Sequence, residues 1–275
     1  MIVVTGATGN VGRPLVRALV AAGEQVTAVS RRIPTGQLPA GVRHHQADLT
    51  EPDNLKPALD GAEALFLLTS GDFVTAGGNL GDVLEVIRAG GVQRIVLLSS
   101  QGVGTGDHLP DLEDAVTQSG LEWTMLRPAG FHSNTLQWAE GVRGQRTVTA
   151  PFGDVALPTV DPADIAEAAA VVLRDAAHAG SVHELTGPVA VSPREQAAAI
   201  GAALGEPVRF VEQTRSEARA AMLRFMPEPV VERTLDMLGA PSAGLRRVSP
   251  AVELLLGRPP RTYAQWAARN LAAFR

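Results

Sequence analysis

Residues 1–12, MIVVTGATGNVG, decide the fold of this chain. They open with Ile2-Val3-Val4, a β-branched apolar run typical of a buried strand. Glycines then recur every three residues up to Gly12, in the pattern G-x-x-G-x-x-G, and from Val11 onward the apolar residues follow a helical period. A strand, a glycine turn and a helix in this order predict the first unit of a dinucleotide-binding fold. The diphosphate is expected at the N-terminus of the helix.

The bulk composition is that of a globular protein. At 275 residues, with 45% hydrophobic and 19% charged residues, the chain can form one large domain or a domain with a lobe. A net charge of −5 gives no electrostatic case for nucleic-acid binding. The absence of cysteine excludes disulfides, a thiolate nucleophile and Cys-ligated metals. No apolar run reaches membrane-spanning length, and no charged signal-peptide head precedes the first strand. We therefore expect a cytoplasmic protein, either a monomer or a homodimer.

Strand-like and helix-like segments alternate through the first half of the chain. This alternation predicts an α/β fold with a doubly wound parallel sheet, a Rossmann fold. Further strands are predicted at 25–29, 42–47, 64–68, 94–98, 122–126 and 183–186. Helices are predicted at 51–59, 77–89, 111–119, 165–173, 193–204, 216–238 with a break at its prolines, and 263–274. We expect a cofactor-binding domain at 1–150 with return segments around 155–187, and a smaller C-terminal α/β substrate lobe at 188–275 that is not independent.

The end of the second predicted strand bears on the choice of cofactor. NAD-preferring sites place Asp or Glu there to bind the ribose 2′-hydroxyl, whereas this chain has Ser30, Arg31 and Arg32. Arginine matches the geometry of a phosphate, and no carboxylate is present to repel one. These residues therefore favour NADP(H). The alternative is a solvated arginine pair at a strand end.

The ends of the next strands carry further candidate cofactor ligands, because ligands of such sheets bind outside the carboxyl ends of the strands. Asp48 is a candidate acceptor for the adenine amino group, with Leu49 flanking the ring; a helix-capping role for Asp48 is equally compatible with the sequence. The candidates on the fourth and fifth strands are Thr69, Ser70, Ser99 and Ser100. Asp161 and Asp164 are interpreted as helix-starting residues, and no metal site is predicted.

Several motifs together resemble one protein family. They are TGATGNVG, the strand end SRR, LLSSQGVG, SGLEWTMLRPAGFHSN, DPADIAEAAAVVL and the closing GRPPRTYAQWAARNLAAF. This combination is similar to the NmrA-like group of atypical short-chain dehydrogenase/reductases, which includes type 2 quinone oxidoreductases and some NADP-sensing regulators.

The resemblance implies a role for particular residues of this chain. The diphosphate cradle would consist of Gly6, Ala7, Thr8, Gly9, Asn10 and Val11, and Arg31 would meet the 2′-phosphate. The nicotinamide half would be lined by Thr69, Ser70, Ser99 and Ser100. The loop beside the nicotinamide and the substrate would consist of Pro128, Ala129, Gly130 and Phe131.

The chain departs from the catalytic pattern of extended members of the superfamily, which carry Tyr-x-x-x-Lys followed four residues later by Glu. Registering that pattern on Glu113 puts Thr105 at the Tyr position and Leu109 at the Lys position. The chain has one tyrosine, Tyr263, and one lysine, Lys56, far apart in sequence. The usual proton relay for carbonyl reduction is therefore absent.

Few residues remain as candidates for proton chemistry. His108 precedes the helix that carries Glu113, and His132 is expected at a pocket rim after the turn at Gly130 and Phe131; an exposed loop histidine is the alternative for each. Gln101 is a candidate hydrogen-bond donor to a substrate carbonyl. His44 and His45 are neighbours in a strand and point to opposite faces, so they form no chelating pair.

Three functions are compatible with these residues. The leading prediction is an NADP(H)-dependent oxidoreductase that transfers hydride to a quinone, an enone or an aromatic polyketide-like carbonyl. Its pocket would be lined by Phe131, Trp138, Phe152, Met222, Phe225 and Met226, although such residues also build ordinary cores. The second is a redox-sensing regulator that binds NADP without turnover. The third is a tailoring enzyme of secondary metabolism that couples, dehydrates or isomerises its substrate on the same scaffold.

Overall fold

The computed structural model describes residues 1–32, 38–69, 73 and 76–275. The strands in this part of the chain are β1 (Ile2–Val4), β2 (Val26–Ser30), β3 (Arg43–Gln46), β4 (Ala64–Leu67), β5 (Arg94–Leu98), β6 (Glu122–Pro128), β7 (Thr147–Pro151), β8 (Ser181–Leu185) and β9 (Arg209–Gln213). Seven of these described strands form one parallel sheet in the order β3-β2-β1-β4-β5-β6-β8. The strand order reverses at β1, which pairs Val4 with Ala28 of β2 on one side and with Phe66 of β4 on the other. Such a reversal opens a crevice at the carboxyl ends of the strands.

The helices of the described residues alternate with the strands. They are α1 (Gly12–Ala21), α2 (Lys56–Leu59), α3 (Leu80–Ala89), α4 (Gln101–Thr105), α5 (Asp111–Gln118), α6 (Ala139–Gln145), α7 (Pro162–Arg174), α8 (Pro193–Leu204), α9 (Arg215–Met222), α10 (Glu228–Gly239), α11 (Ala243–Arg246), α12 (Ala251–Leu256) and α13 (Tyr263–Arg269). Short 3-10 helices lie at Pro52–Leu55, His132–Trp138, Ala176–His178 and Leu271–Ala273.

Helices cover both faces of the large sheet. On one face α1 and α7 bury side chains such as Leu15 and Ile165 against Val4. On the opposite face α3 and α5 bury Ile87 and Val116. Strands covered on both sides are apolar throughout, as Ala64–Leu67 is, and this pattern made the sheet recognisable from the sequence. The predicted doubly wound α/β fold is confirmed.

A smaller lobe is built around a second, two-stranded sheet. Strand β7 pairs in parallel with β9, and α6, α8 and α13 enclose a core that contains Trp266 and Phe274. Two segments pack against the other side of the boundary that was expected between the cofactor-binding domain and the C-terminal lobe. β7, expected in the first domain, pairs with β9 of the lobe, while α12, expected in the lobe, packs Val252 into the core of the large sheet.

Ion pairs bind the C-terminal segment to α7. Asp164 is fully buried, and its carboxylate accepts hydrogen bonds from the backbone N–H of Arg261 and from Nη2 of Arg258, each at 2.7 Å. Asp161 caps α7 by accepting from Ala163 N at 2.9 Å and also binds Arg269. Both aspartates therefore hold helix and tail together. The described residues contain no group of three or more His, Asp or Glu side chains placed to hold a metal ion.

Candidate active site

The glycine loop between β1 and α1 has the geometry of a diphosphate cradle. Gly6 adopts a left-handed backbone conformation (φ +62°), and a Cβ added at Gly12 would lie 2.2 Å from the Gly6 carbonyl oxygen. Helix α1 begins without a side-chain cap, so its first N–H groups point toward the crevice without a competing side-chain acceptor. The glycine loop lets the backbone come close to a ligand, and the N-terminus of α1 offers a positive dipole end and N–H donors. Together these features fit the diphosphate of a dinucleotide.

Neighbouring strands hold this loop in place. The Thr5 hydroxyl donates to the Phe66 carbonyl at 3.0 Å and accepts from Leu68 N at 2.8 Å, and Ala7 N donates to the Val29 carbonyl at 3.1 Å. Gly9 and Asn10 are exposed and face the crevice side, whereas the side chain of Val11 is buried in the core. Val11 can therefore contribute to a bound cofactor only through its backbone.

Two further loop residues bond locally. Thr8 accepts from Nη2 of Arg13 at 3.0 Å through its carbonyl oxygen. Asn10 donates through Nδ2 to Ser133 Oγ at 2.9 Å, which ties the glycine loop to the segment after β6.

The end of β2 places two arginines beside the crevice. Ser30 is buried, donates to the Arg32 carbonyl at 2.7 Å and pairs with His44 Nε2 at 2.8 Å. The side chains of Arg31 and Arg32 are exposed. The positive charge of Arg31 contributes to the lowered pKa of Asp48, so these two side chains are near each other.

Asp48 itself bonds to its own turn. Its Oδ1 accepts from the backbone N–H of Thr50 at 3.0 Å and from the Thr50 hydroxyl at 2.9 Å. The Thr50 backbone hydrogen bond is the main cause of its lowered pKa. Leu49 follows half-buried, packed against the core. The next candidate, Thr69, lies half-buried just after β4, and Ser70 lies outside the described residues.

A cavity of about 910 Å³ lies between the large sheet and the lobe. Its cofactor-side lining is formed by the ends of β5 and β6, namely Ser99, Ser100, Gln101, Pro128, Ala129, Gly130 and Phe131. The lobe contributes apolar side chains, among them Trp138, Phe152, Met222, Phe225, Met226 and Met237. The cavity lining includes all six side chains that were predicted from the sequence to line a pocket, namely Phe131, Trp138, Phe152, Met222, Phe225 and Met226. The volume is that of a site for a drug-sized ligand.

Gln101 faces this cavity from the first turn of α4, a helix that was not predicted. Ser100 caps α4 by accepting from Gly102 N at 3.2 Å. Gln101 is only 2% exposed, and its Nε2 donates to the carbonyls of Gly244 at 3.3 Å and Arg247 at 3.5 Å. The amide nitrogen of Gln101 therefore already joins α4 to α11.

Ser99 lies above a buried ion pair that the sequence analysis missed. Its hydroxyl donates a short hydrogen bond to Oε1 of Glu113. Arg127 donates to the same carboxylate, from Nε to Oε1 and from Nη2 to Oε2. Burial raises the pKa of Glu113, but the bonds from Arg127 and Ser99 outweigh it, so that the pKa of Glu113 is lowered. The available signal was Arg127, a charged residue between the mainly apolar strand residues 123–126 and Pro128.

The structure separates the two histidine candidates. His108 lines the cavity, with its ring against Gly102, where an added Cβ would lie 2.7 Å from Nδ1. Burial, followed by the charge of Arg233, lowers the pKa of His108.

His132 does not lie at a pocket rim, which corrects its expected position. It is 1% exposed, its ring packs edge-on against Tyr263 at 5.1 Å between centroids, and its Nδ1 is 3.0 Å from Thr159 Oγ1. Phe131 bridges to Val160 in extended backbone, so adjacent side chains alternate. Phe131 therefore lines the cavity while His132 enters the lobe core, where burial lowers its pKa to about 4.

The positions registered on Tyr-x-x-x-Lys carry no acid or base. Thr105 bonds to Asp107 Oδ2 at 2.5 Å and packs on Gly244, and Leu109 is 64% exposed. Tyr263 is buried, donates to Thr135 Oγ1 at 2.7 Å, and burial raises its pKa. Lys56 pairs with Asp53 on the surface at 2.7 Å. Within the described residues, no helix is long and apolar enough to cross a membrane.

Comparison with known proteins bears on this site. Residues 6–176, more than half of the chain, match the family model described as NAD(P)H-binding. A (4-alkanoyl-5-oxo-2,5-dihydrofuran-3-yl)methyl phosphate reductase of Streptomyces griseus is 35% identical over 100% of this chain and 99% of its own length. An NAD(P)H azoreductase of Xenophilus azovorans is 33% identical over 100% and 99%. The crystal structure of an NADPH-dependent quinone oxidoreductase of Escherichia coli, complexed with NADPH, superposes with a TM-score of 0.82 at 27% identity, covering 98% of this chain and 99% of that one.

Proposed function

The chain belongs to the NAD(P)H-binding family, within the NmrA-like group of atypical short-chain dehydrogenase/reductases, and from this premise we propose that it transfers hydride from NADPH to a quinone, an enone or an aromatic polyketide-like carbonyl. It is an oxidoreductase of the quinone- and azo-reductase type. The observation that carries the finer proposal is the cavity that has strand ends on one side and mainly apolar lobe residues, with a few neutral polar ones, on the other.

The cofactor preference is supported by the end of β2. Arg31 and Arg32 are exposed beside the crevice, and the strand ends on Ser30 where NAD-preferring sites have a carboxylate. A guanidinium matches the 2′-phosphate in charge and in bidentate geometry. This arrangement favours NADPH over NADH.

The protein supplies orientation to the reaction. NADPH, when bound, provides the hydride. The glycine loop and the N-terminus of α1 would hold its diphosphate, and the segment 128–131 together with Ser99 and Ser100 would place its nicotinamide half at the cavity. Phe131 and Trp138 line the same cavity and offer flat apolar surfaces to a planar acceptor. When the acceptor is electron-poor, holding it beside the nicotinamide would supply most of the catalysis, and little acid–base assistance from side chains is needed.

Hydride transfer leaves a negative charge on the carbonyl oxygen of the acceptor, and His108 is the side chain that we assign as hydrogen-bond donor to that oxygen. The proton that completes the reduction comes from solvent. The ring of His108 lines the cavity beside Gly102, and its lowered pKa leaves it as a neutral hydrogen-bond donor near pH 7. A neutral donor suffices for a quinone, because the reduced oxygen is a phenolate stabilised by conjugation. This route replaces the tyrosine and lysine that Thr105 and Leu109 do not provide.

The test is NADPH consumption by the purified protein with a panel of quinones, enones and azo dyes. We expect turnover of planar quinones, and a His108→Gln variant with kcat/KM reduced about tenfold or more. A His45→Gln variant, altered on the remote edge strand β3, serves as the matched control. Tight NADPH binding without turnover of any acceptor would refute the proposal and favour a sensor that binds NADP without catalysis.

A further inference from the structure

The described part of the cavity lining carries no formal charge. The described residues that line it include no Asp, Glu, Lys or Arg, although these make up 19% of the chain. The one titratable side chain among them is His108, whose lowered pKa makes it neutral near pH 7. A site of this size usually contains at least one charged group when its ligand is charged.

Three arginines near the cavity form ion pairs with carboxylates outside its lining. Arg127 is bound to Glu113, and Arg247 donates to Glu184 at 2.6 Å. On the lobe, Arg219 binds Glu228 and Glu232. The carboxylates in these ion pairs neutralise the arginine charges, so these arginines do not provide a positive charge for a ligand in the cavity.

Arg233, on α10, is a further cation on the lobe side. Its charge lowers the pKa of His108, but its side chain is exposed and is not part of the lining. Solvent screens an exposed charge of this kind.

The rest of the described lining combines neutral amide and hydroxyl side chains, such as Asn134 and Gln213, with soft apolar groups. Three of the five methionines of the chain, Met222, Met226 and Met237, lie on the lobe side, opposite Phe131. Thioether and aromatic groups adapt to a flat hydrophobic molecule. They offer nothing to a phosphate or a sulfonate.

Resting on the proposed function, we infer that this site takes uncharged planar acceptors and excludes acceptors that carry an anionic group into the cavity. A buried anion that meets no cation loses more hydration free energy than neutral amide and hydroxyl groups return. The substrate class therefore differs from the phosphate ester in the name of the Streptomyces griseus relative, in spite of 35% identity.

The experiment compares 1,4-naphthoquinone with 1,4-naphthoquinone-2-sulfonate in the presence of NADPH, after subtraction of the reaction without protein. The sulfonate withdraws electrons, so its intrinsic reactivity toward hydride is the greater. We expect kcat/KM to be at least tenfold higher for the neutral quinone. Comparable values, or a preference for the sulfonate, would overturn the inference, and an Arg233→Gln variant would then show whether that arginine is the anion's partner.

A pair of variants separates the charge of the cavity from that of the whole protein. Gln137→Arg adds a cation at the cavity rim, whereas Gln145→Arg adds one at an exposed position of the same region that does not line the cavity. We expect the first variant to lower the preference for the neutral quinone at least threefold and the second to leave it unchanged. An equal drop in both variants would show that bulk attraction sets the preference and would refute the inference.

Failure of the proposed function would be distinguishable from failure of this inference. If neither quinone is reduced, calorimetric titration of both quinones into the complex with NADP⁺ still measures the charge preference of the cavity. Tighter binding of the neutral quinone would support the inference without catalysis, and equal or tighter binding of the sulfonate would overturn it.

Discussion

Arg127 binds Glu113 through two parallel hydrogen bonds, with Nε 2.9 Å from Oε1 and Nη2 2.5 Å from Oε2. The pair joins β6 to α5 below the carboxyl end of the sheet, where Ser99 adds a third bond to the same carboxylate. These hydrogen bonds hold the Glu113 carboxylate in a structural role next to the candidate site, so it is not available for proton transfer.

Replacing Glu113 by Gln leaves the half-buried Arg127 without its counter-charge. We expect a loss of about 3 kcal/mol in the free energy of unfolding, the usual cost of breaking a buried pair from one side. Urea denaturation at neutral pH measures it. Asp114→Asn, one residue along the same helix and exposed, is the matched control and should change stability little.

The contribution of the Glu113 carboxylate also depends on pH. Its pKa in the folded protein is lowered from 4.5, so the stabilisation is fully present above pH 4.5 and is lost as the pH falls through the folded value. The difference in stability between wild type and Glu113→Gln should therefore shrink in acid. A difference that stays constant from neutral pH to acid would contradict this interpretation.

Substitution of Gly12 by Ala should damage both the fold and cofactor binding. The new Cβ would lie 2.2 Å from the Gly6 carbonyl, so the cradle must shift, at a cost of about 1–3 kcal/mol. NADPH binding, measured by fluorescence titration, should weaken at least tenfold. Gly144→Ala in α6, where an added Cβ meets nothing within 4 Å, should bind NADPH like the wild type.

Removing the Arg31 side chain should weaken NADPH binding about tenfold to a hundredfold and leave NADH binding unchanged, because only NADPH carries the 2′-phosphate. Arg17→Ala, which removes an exposed arginine from α1, controls for the change in net charge. Equal losses for the two cofactors in Arg31→Ala would show that this arginine does not read the 2′-phosphate.

His132 should make stability depend on pH in mild acid. Its pKa falls from 6.5 to about 4 on folding, so the unfolded chain takes up the proton more readily. The contribution of neutral His132 to the free energy of unfolding is fully present above pH 6.5. About 3 kcal/mol of this free energy should be lost as the pH falls from 6.5 toward 4.

A His132→Gln variant should lose this slope between pH 6.5 and 4, whatever its stability at neutral pH. Tyr263→Phe provides the matched control, because it removes the hydroxyl that donates to Thr135 from the same cluster without removing the histidine. We expect it to be less stable by about 1 kcal/mol with an unchanged slope. Unfolding in urea across this pH range distinguishes the two.

The sequence by itself determined the fold class, the glycine cradle and the absence of a tyrosine–lysine pair. These features rest on local patterns: β-branched runs mark buried strands, glycines mark positions where the backbone must come close, and one tyrosine and one lysine are a matter of counting. The strand end at Ser99, which lines the cavity, also followed from the sequence, because parallel strands end on the same edge of a sheet, whereas Phe131 was expected there from the family resemblance.

Only the tertiary structure decided the partners of side chains that are distant in sequence. His132 is buried because Phe131 bridges to Val160 and Tyr263 covers its ring, a contact across more than a hundred residues. The lack of charge in the cavity depends likewise on where Arg127 and Arg247 find their carboxylates. Local patterns specify which elements form, but burial and ion pairing depend on which elements meet.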